Sequence, residues 1–311
     1  MTCKILNGNW LSEQYARGVG RRVEALVKSG KRPPGLGVIL VGDNPASLAY
    51  VGRKEKVAKR CGFITKEERL SGAASEDDLL AVIESYNGDP EIDGILLQLP
   101  LPGGLNADRM LDKISPSKDA DGLHPLNQGL LMRGAGMLRP CTPSGLMRLI
   151  DLAYSDVRPE GDVDIEKDIP EVDLSGKSAV VVGRSILVGK AAALLLLERN
   201  ATVTVAHSRT KDLAAVTSQA DIVVAAVGRE EFVKADAVKE GAVVIDVGIN
   251  RASSGKLVGD VAFDEVQGKC SAITPVPGGV GPMTVIMLMH NTFLAYEQHL
   301  KSQHQFNKQA G

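Results

Sequence analysis

The stretch AYVGRKEKVAKR, residues 49–60, places a tyrosine and a lysine four residues apart among many other charges. On a helix, Tyr50 and Lys54 project from the same face. An aromatic ring and an amine on one face are ingredients of a reacting site. Charge runs more commonly form a solvated face, and on these residues alone both readings stay open.

A second constellation points to nucleotide chemistry. AVVVGRSILVGKAAALLLL orders a strand, a tight turn and a helix, with the pattern Gly183-x-Ser185-x-x-x-Gly189. Gly183 permits the turn, Gly189 lets the backbone come close, and the helix start offers N–H groups to a pyrophosphate. An NAD site expects an acid near the end of the next strand, to hold the ribose hydroxyls. Here ATVTVAHSRT ends in His207, Ser208 and Arg209. A hydroxyl and a cation suit a 2′-phosphate, and Arg184 adds a second charge, so the residues favour NADP over NAD.

These groups need a scaffold. LGVILVG (36–42), DGILLQLP (93–100), SAVVVGR (178–184), ATVTVAH (201–207), ADIVVAAVG (220–228) and GAVVIDVG (241–248) read as strands. Their continuous β-branched character on both faces implies a sheet covered by helices on each side, and the helix-like stretches between them imply βαβ units and parallel pairing. The fold class is α/β with two domains. PCTPSGLMRLIDLAY predicts a capped linking helix with Thr142 as N-cap and Pro143 in the first turn. The acidic segment 155–174 reads as an exposed loop or insertion, and MTVIMLMHNTFLAYEQHL (283–300) as a helix followed by a frayed polar tail.

Composition narrows the function classes. The 311 residues carry a net charge of -2, which argues against nucleic acid as the main partner. Cys3, Cys61, Cys141 and Cys270 are scattered without metal-ligand spacing, so no metal is expected and the thiols fit a reducing compartment. No apolar run reaches membrane-spanning length, and MTCKILNGNW lacks a signal-peptide pattern, so the expectation is a cytoplasmic protein without membrane contact.

Seven segments together resemble the bifunctional methylenetetrahydrofolate dehydrogenase/methenyltetrahydrofolate cyclohydrolases. They are VGDNPASLAYVGRKEKVAKRCGF, DGILLQLPLPGGL, KDADGLHPLNQGLL, RPCTPSGL, VVVGRSILVGK, DVGIN and TPVPGGVGPMTVIMLMHNT, spread in order from about residue 36 to 292. The resemblance implies an N-terminal α/β substrate domain, residues 1–143 with a returning C-terminal helix at 282–311. It also implies a Rossmann-type parallel-sheet NADP domain, residues 144–281, with a cleft between the two. The implied reactions are NADP-dependent oxidation of methylenetetrahydrofolate to methenyltetrahydrofolate and hydrolysis of that product to formyltetrahydrofolate. A homodimer is implied as well.

Carried over by motif, Tyr50 and Lys54 match the Tyr-x-x-x-Lys of the folate site, and Gln98 matches the glutamine of LLQLPLP, flanked by Leu97 and Leu99. Lys54 is then the general acid/base of the hydrolysis, Gln98 holds its amine, and Tyr50 stacks on the folate ring system. Asp121 matches the acid that fixes the pterin, with Asp119 as the alternative for that role and His124 left with a structural reading. Pro277, Gly278, Gly279, Val280 and Gly281 match the loop flanking the folate. Gly183, Arg184, Ser185, Ser208 and Ile249 match the cofactor-contacting positions. Two features depart from the family pattern: Ala191 stands where a proline is usual, and the 155–174 segment is longer than usual. Competing readings are a monofunctional NAD(P)-dependent methylenetetrahydrofolate dehydrogenase, a dehydrogenase of another small molecule, and an NADP-binding module without turnover.

Overall fold

The computed structural model describes residues 3–309. Its strands, in chain order, are β1 (Lys4–Ile5), β2 (Gly35–Val41), β3 (Ile64–Leu70), β4 (Gly94–Leu97), β5 (Ser178–Val182) and β6 (Thr202–Ala206). They continue with β7 (Ile222–Ala225), β8 (Val243–Asp246), β9 (Asn250–Arg251), β10 (Leu257–Val258) and β11 (Ala272–Ile273). The α-helices are α1 (Gly8–Lys28), α2 (Pro45–Arg60), α3 (Glu76–Gly88), α4 (Ala107–Leu111), α5 (Pro125–Met132) and α6 (Cys141–Tyr154). After them come α7 (Ile165–Asp168), α8 (Ala191–Glu198), α9 (Leu213–Thr217), α10 (Phe263–Val266) and α11 (Val280–Gln309).

The chain forms two compact units, Ala16–Arg139 with Val285–Gly311, and Met1–Tyr15 with Pro140–Thr284. The first unit holds a parallel sheet in the order β3-β2-β4. Every residue of β2 and β4 is buried, as expected for strands covered on both faces. β3 alternates exposed and half-buried positions because ITKEERL forms an edge, where charged side chains discourage pairing with another chain. That charge is why ITKEERL does not read as a strand in the sequence. α11 closes on β4 at Gly94, where a Cβ would meet Thr292 Oγ1 at 2.6 Å. Asn291 Nδ2 donates to Ala120 O at 2.9 Å and Arg139 O at 2.8 Å, fixing the loop beside β4.

The second unit holds a six-stranded sheet in the order β1-β11-β8-β7-β5-β6, every neighbouring pair parallel. The connection through α8 carries the chain from β5 outward to β6, and the next strand, β7, returns to the other side of β5. Between β5 and β7 the strand order reverses, and loops at the C-terminal ends of such strands form the usual ligand crevice of an open α/β sheet.

Several details differ from the sequence expectation. Residues 1–15 fall with the second unit, because β1 pairs with β11 through Lys4↔Ala272 and Ile5↔Ile273. A two-residue strand paired across the chain leaves no periodic signal. α6 begins at Cys141 with Pro140 in the cap position, so Thr142 is not the N-cap; its hydroxyl instead lies 3.0 Å from Thr284 Oγ1. Pro143 does sit in the first turn, where a missing N–H costs no helical hydrogen bond. Segment 155–174 is anchored: Ile165, Ile169 and Leu174 are buried, and Gly161 O accepts from Trp10 Nε1 and Gln14 Nε2, each at 3.0 Å.

Asp221, at the start of β7, ties this sheet together. Its Oδ1 accepts from Lys239 Nζ at 2.6 Å and its Oδ2 from Ser178 N at 2.9 Å. The Lys239 hydrogen bond, then that from Ser178, holds its carboxyl down at about 2. A depressed acid stabilises the fold above its unfolded value, about 4, and loses that contribution as pH falls toward 2. Asp221→Asn should therefore lower the urea midpoint near neutral pH, with the gap to the unsubstituted protein closing between about pH 4 and 2. A gap independent of pH across that range would contradict this account.

Candidate functional site

In the first unit, the start of α2 is fixed by Asn44, whose Oδ1 accepts from Ala46 N at 2.9 Å and Ser47 N at 3.4 Å, with Pro45 at the first helical position. That start sets the phase of the helix. Its buried stripe is Ser47, Val51, Lys54 and Ala58, at helical spacing. Lys54 therefore takes an inward position normally held by an apolar residue and is 8% exposed. Arg53, Lys56, Lys59 and Arg60 are exposed, which is the solvated-face reading, whereas Tyr50 is 40% exposed one turn before Lys54.

Burying a lysine requires a polar partner. Lys54 Nζ donates to Gln98 Oε1 at 3.0 Å. Gln98 directly follows β4, and its backbone N donates to Ile39 O at 2.9 Å, so the sheet ladder holds it. Its Nε2 donates to Leu99 O at 2.5 Å, which orients the amide with its oxygen toward the amine. Leu97 is buried before it and Leu99 half-buried after it. The amine is thus held by a neutral acceptor.

Asp119 and Asp121 have separable surroundings. Asp119 is buried, and its carboxylate accepts from Leu123 N at 3.1 Å, His124 N at 2.8 Å and Asn127 Nδ2 at 2.8 Å. It braces the turn leading into α5. His124 caps that helix, its Nδ1 accepting from Leu126 N at 3.0 Å. Asp121 is half-buried and follows a parallel bridge between Ile95 and Asp119, which runs its segment alongside β4.

In the second unit, the nucleotide turn follows β5. Gly183 has φ +133°, and a Cβ there would lie 2.2 Å from Ala226 O. A Cβ on Gly189 would lie 2.2 Å from Gly183 O. Both positions accept only glycine, which brings the start of the following helical segment against the turn. A wider turn over Ile186–Lys190 leads into α8, with Ser185 Oγ accepting from Val188 N at 3.2 Å and Gly189 N at 3.4 Å. Ala191, where the family pattern has proline, begins α8. Arg184, Ser185, Ile186 and Leu187 remain exposed. Gly183 N donates to Ala206 O at 2.8 Å, so the end of β6 adjoins the turn, and exposed Ser208 and Arg209 follow it. Close backbone, exposed hydroxyls and exposed guanidinium groups fit a phosphorylated dinucleotide, and β6 is followed by no acid in this turn.

Pro277–Gly281 lies in the same unit. Gly278 O accepts from Asn9 N at 3.1 Å, and a Cβ on Gly281 would meet Ile249 Cδ1 at 3.9 Å. Ile249 is 51% exposed at the C-terminal side of β8. The expected residues therefore gather as two sets: Tyr50, Lys54, Leu97, Gln98, Leu99 and Asp121 belong to the first unit, and the others to the second.

Two buried carboxylates, Asp246 and Asp260, are absent from the sequence expectation. Both accept several backbone N–H groups at the edge that carries Ile249. An acid closing an apolar strand before glycine, as in VVIDVG, is the signal that marks Asp246.

Among the described residues, no helix is long and apolar enough to cross a membrane, and no group of histidine, cysteine and acidic side chains is placed to hold a metal. Residues 6–121 match the family model for the tetrahydrofolate dehydrogenase/cyclohydrolase catalytic domain, and residues 140–300 match that for its NAD(P)-binding domain. The bifunctional protein FolD of Bacillus velezensis is 49% identical over 292 residues, covering 94% of this chain and 97% of that protein. The Streptococcus mutans protein of the same name is also 49% identical with the same coverage. Among solved structures, the bifunctional FolD methylenetetrahydrofolate dehydrogenase/cyclohydrolase of Campylobacter jejuni aligns with TM-score 0.87 and 44% identity, covering 95% of this chain and 99% of that one. The Trypanosoma brucei dehydrogenase-cyclohydrolase, complexed with NADP cofactor and inhibitor, aligns with TM-score 0.86 and 35% identity, covering 96% and 98%.

Proposed function

This chain belongs to the tetrahydrofolate dehydrogenase/cyclohydrolase family, and we propose that it carries both activities of that family on one polypeptide. It oxidises methylenetetrahydrofolate to methenyltetrahydrofolate with NADP and hydrolyses the product to formyltetrahydrofolate. The observation that carries the reading is the buried amine of Lys54 held by Gln98 at 3.0 Å. A relative with dehydrogenase activity alone has no need of a proton carrier in an inward helix position, so the monofunctional reading is disfavoured.

Lys54 is the general acid/base. Hydrolysis adds water to a cationic carbon and then opens a ring. Both water protons leave the oxygen as the formyl C=O forms, one passing to the departing nitrogen as its bond to carbon breaks and the other released to solvent. The Lys54 amine takes the first proton from the attacking water and hands it to the departing nitrogen. Gln98 aims the amine through the hydrogen bond that its Oε1 accepts from Nζ. Tyr50 offers its exposed ring to the folate ring system, and Asp121 accepts from the pterin amino and ring N–H groups. Pro277, Gly278, Gly279, Val280 and Gly281 flank the folate.

Gly183, Arg184, Ser185, Ser208 and Ile249 hold the dinucleotide, which when bound supplies the hydride acceptor for the oxidation. Arg184 and Ser208 bind its 2′-phosphate. Arg184→Ala with Ser208→Ala should raise the apparent KM for NADP at least tenfold, at about 1.5–3 kcal/mol per charge-assisted hydrogen bond, while moving that for NAD far less. An equal loss with both cofactors would remove the 2′-phosphate assignment. Absorbance at the NADPH band after mixing NADP with methylenetetrahydrofolate tests the oxidation itself; no rise would reject it.

The protein acts in the cytoplasm as a homodimer. β6 supports the dimer: it is an edge strand with exposed Thr202, Thr204 and Val205, next to exposed Leu197 on α8. Such edges are normally covered. Light scattering on the purified protein should give twice the monomer mass, and a monomer would refute the assembly.

A further inference from the structure

The two carboxylates, Asp246 at the end of β8 and Asp260 just after β10, take no part in the chemistry above, yet they organise the edge on which the dinucleotide sits. Asp246 is 3% exposed and Asp260 fully buried. Asp246 Oδ1 accepts from Gly248 N and from Asp260 N, both at 2.9 Å, and its Oδ2 accepts from Val261 N at 2.9 Å. Asp260 then reaches to the neighbouring strand's loop. Its Oδ2 accepts from Val227 N at 2.6 Å and Gly228 N at 2.9 Å, and its Oδ1 from Arg229 N at 2.9 Å. Asn250 Nδ2 completes the set, donating to Oδ1 at 2.9 Å. Three consecutive backbone N–H groups after β7 thus converge on one carboxylate, which is itself seated by another.

This arrangement has a steep cost if it serves nothing. Burial pushes the Asp246 carboxyl up to about 6, against the pull of the N–H groups of Asp260, Val261 and Gly248. It also restricts the chain nearby: a Cβ on Gly248 would lie 2.2 Å from Asp260 Oδ1, and one on Gly259 would lie 1.8 Å from Asp246 Oδ2. The loop so fixed begins at Ala226, whose carbonyl oxygen is the atom that excludes a Cβ from Gly183. The turn after β5 and the turn after β7 therefore touch at the point where strand order reverses. The second arm of the brace, Gly248 and Asn250, brackets Ile249.

We propose that Asp260, seated by Asp246, is a positioning residue for the dinucleotide, holding the Val227–Arg229 turn and the Ile249 loop in the form that receives it. The inference rests on the reading of this edge as the NADP site. Neither carboxylate touches the reacting atoms; each acts through the backbone it holds. Replacing Asp260 by asparagine keeps the shape but turns an N–H₂ group toward backbone donors, so some of those N–H groups lose their acceptor.

The test compares steady-state kinetics of the full-length protein and of Asp260→Asn and Asn250→Ala, with circular dichroism to verify folding. Asp260→Asn should raise KM for NADP about tenfold or more, with kcat at saturating NADP within about threefold of the unsubstituted enzyme, because binding alone pays for reordering the loops. Asn250→Ala removes one of the four donors and should raise KM about threefold with kcat unchanged. If Asp260→Asn does not fold, Asn250→Ala decides by the same criterion. A purely structural role lowers kcat through loss of folded enzyme and leaves KM in place; that result, or an unchanged KM in the folded variants, would overturn the proposal. Absence of any NADP-dependent turnover in the unsubstituted enzyme would instead overturn the NADP reading itself.

Discussion

Lys54→Met should abolish hydrolysis of methenyltetrahydrofolate while leaving measurable NADP-dependent oxidation of methylenetetrahydrofolate. General acid/base catalysis typically contributes about 10²–10⁴-fold, and the variant loses the group to which we assign both proton transfers. Methionine suits the site sterically, since Lys54 sits in the buried stripe Ser47, Val51, Lys54 and Ala58. The loss should therefore be catalytic, with folding intact by circular dichroism. The oxidation asks the protein mainly for positioning, so it should fall less. Near-normal hydrolysis by the folded variant would disprove the assignment. Gln98→Ala, which removes the acceptor 3.0 Å from Nζ, should give a smaller loss of the same activity.

The largest effect on the oxidation is expected from Gly189→Ala. The added Cβ would fall 2.2 Å from Gly183 O, 2.6 Å from Gly183 C and 2.8 Å from Arg184 N. All three are backbone atoms, so relief requires the turn itself to open, and the close approach that admits a pyrophosphate is lost. NADP binding, measured by calorimetry, should weaken by about 100-fold or more, a difference of roughly 3 kcal/mol. Hydrolysis of methenyltetrahydrofolate supplied directly, without NADP, should change much less, because Lys54 and Gln98 belong to the other unit. Wild-type affinity for NADP in this variant would show that the turn is not the binding element.

These contrasting outcomes follow from how each feature is encoded. β2, β4, β5, β7 and β8 are legible because continuous apolar runs ending in glycine or proline mark strands covered on both faces, and β6 because its β-branched run TVTV marks a strand even at an exposed edge. β3 is not, because ITKEERL is an edge strand whose charges mask its pairing with β2. The partnership of β1 with β11 is invisible for another reason: two residues carry no period, and their partner lies at the far end of the chain. Within the site, helical spacing puts Tyr50 and Lys54 on one face but says nothing of burial. The phase set by Asn44 turns Lys54 inward and leaves Arg53 and Lys56 in water, with Glu55 half-buried. Its partner Gln98, 44 residues away, was accessible only through the family resemblance. Asp119 shows the converse limit. Its sequence neighbourhood matches that of Asp121, and only the three donors converging on its oxygens mark it as a brace. Asp246 and Asp260 escape detection because their partners are backbone N–H groups, which every residue type supplies.

A time course of products from methylenetetrahydrofolate and NADP, with this protein as the sole enzyme, tests the central claim most directly. Chemically quenched samples separated by chromatography report NADPH, methenyltetrahydrofolate and formyltetrahydrofolate together. The two-activity account predicts NADPH and formyltetrahydrofolate rising in parallel, faster than uncatalysed hydrolysis allows, with methenyltetrahydrofolate held low. NADPH formed alongside accumulating methenyltetrahydrofolate, with formyltetrahydrofolate appearing only at the uncatalysed rate, would contradict it.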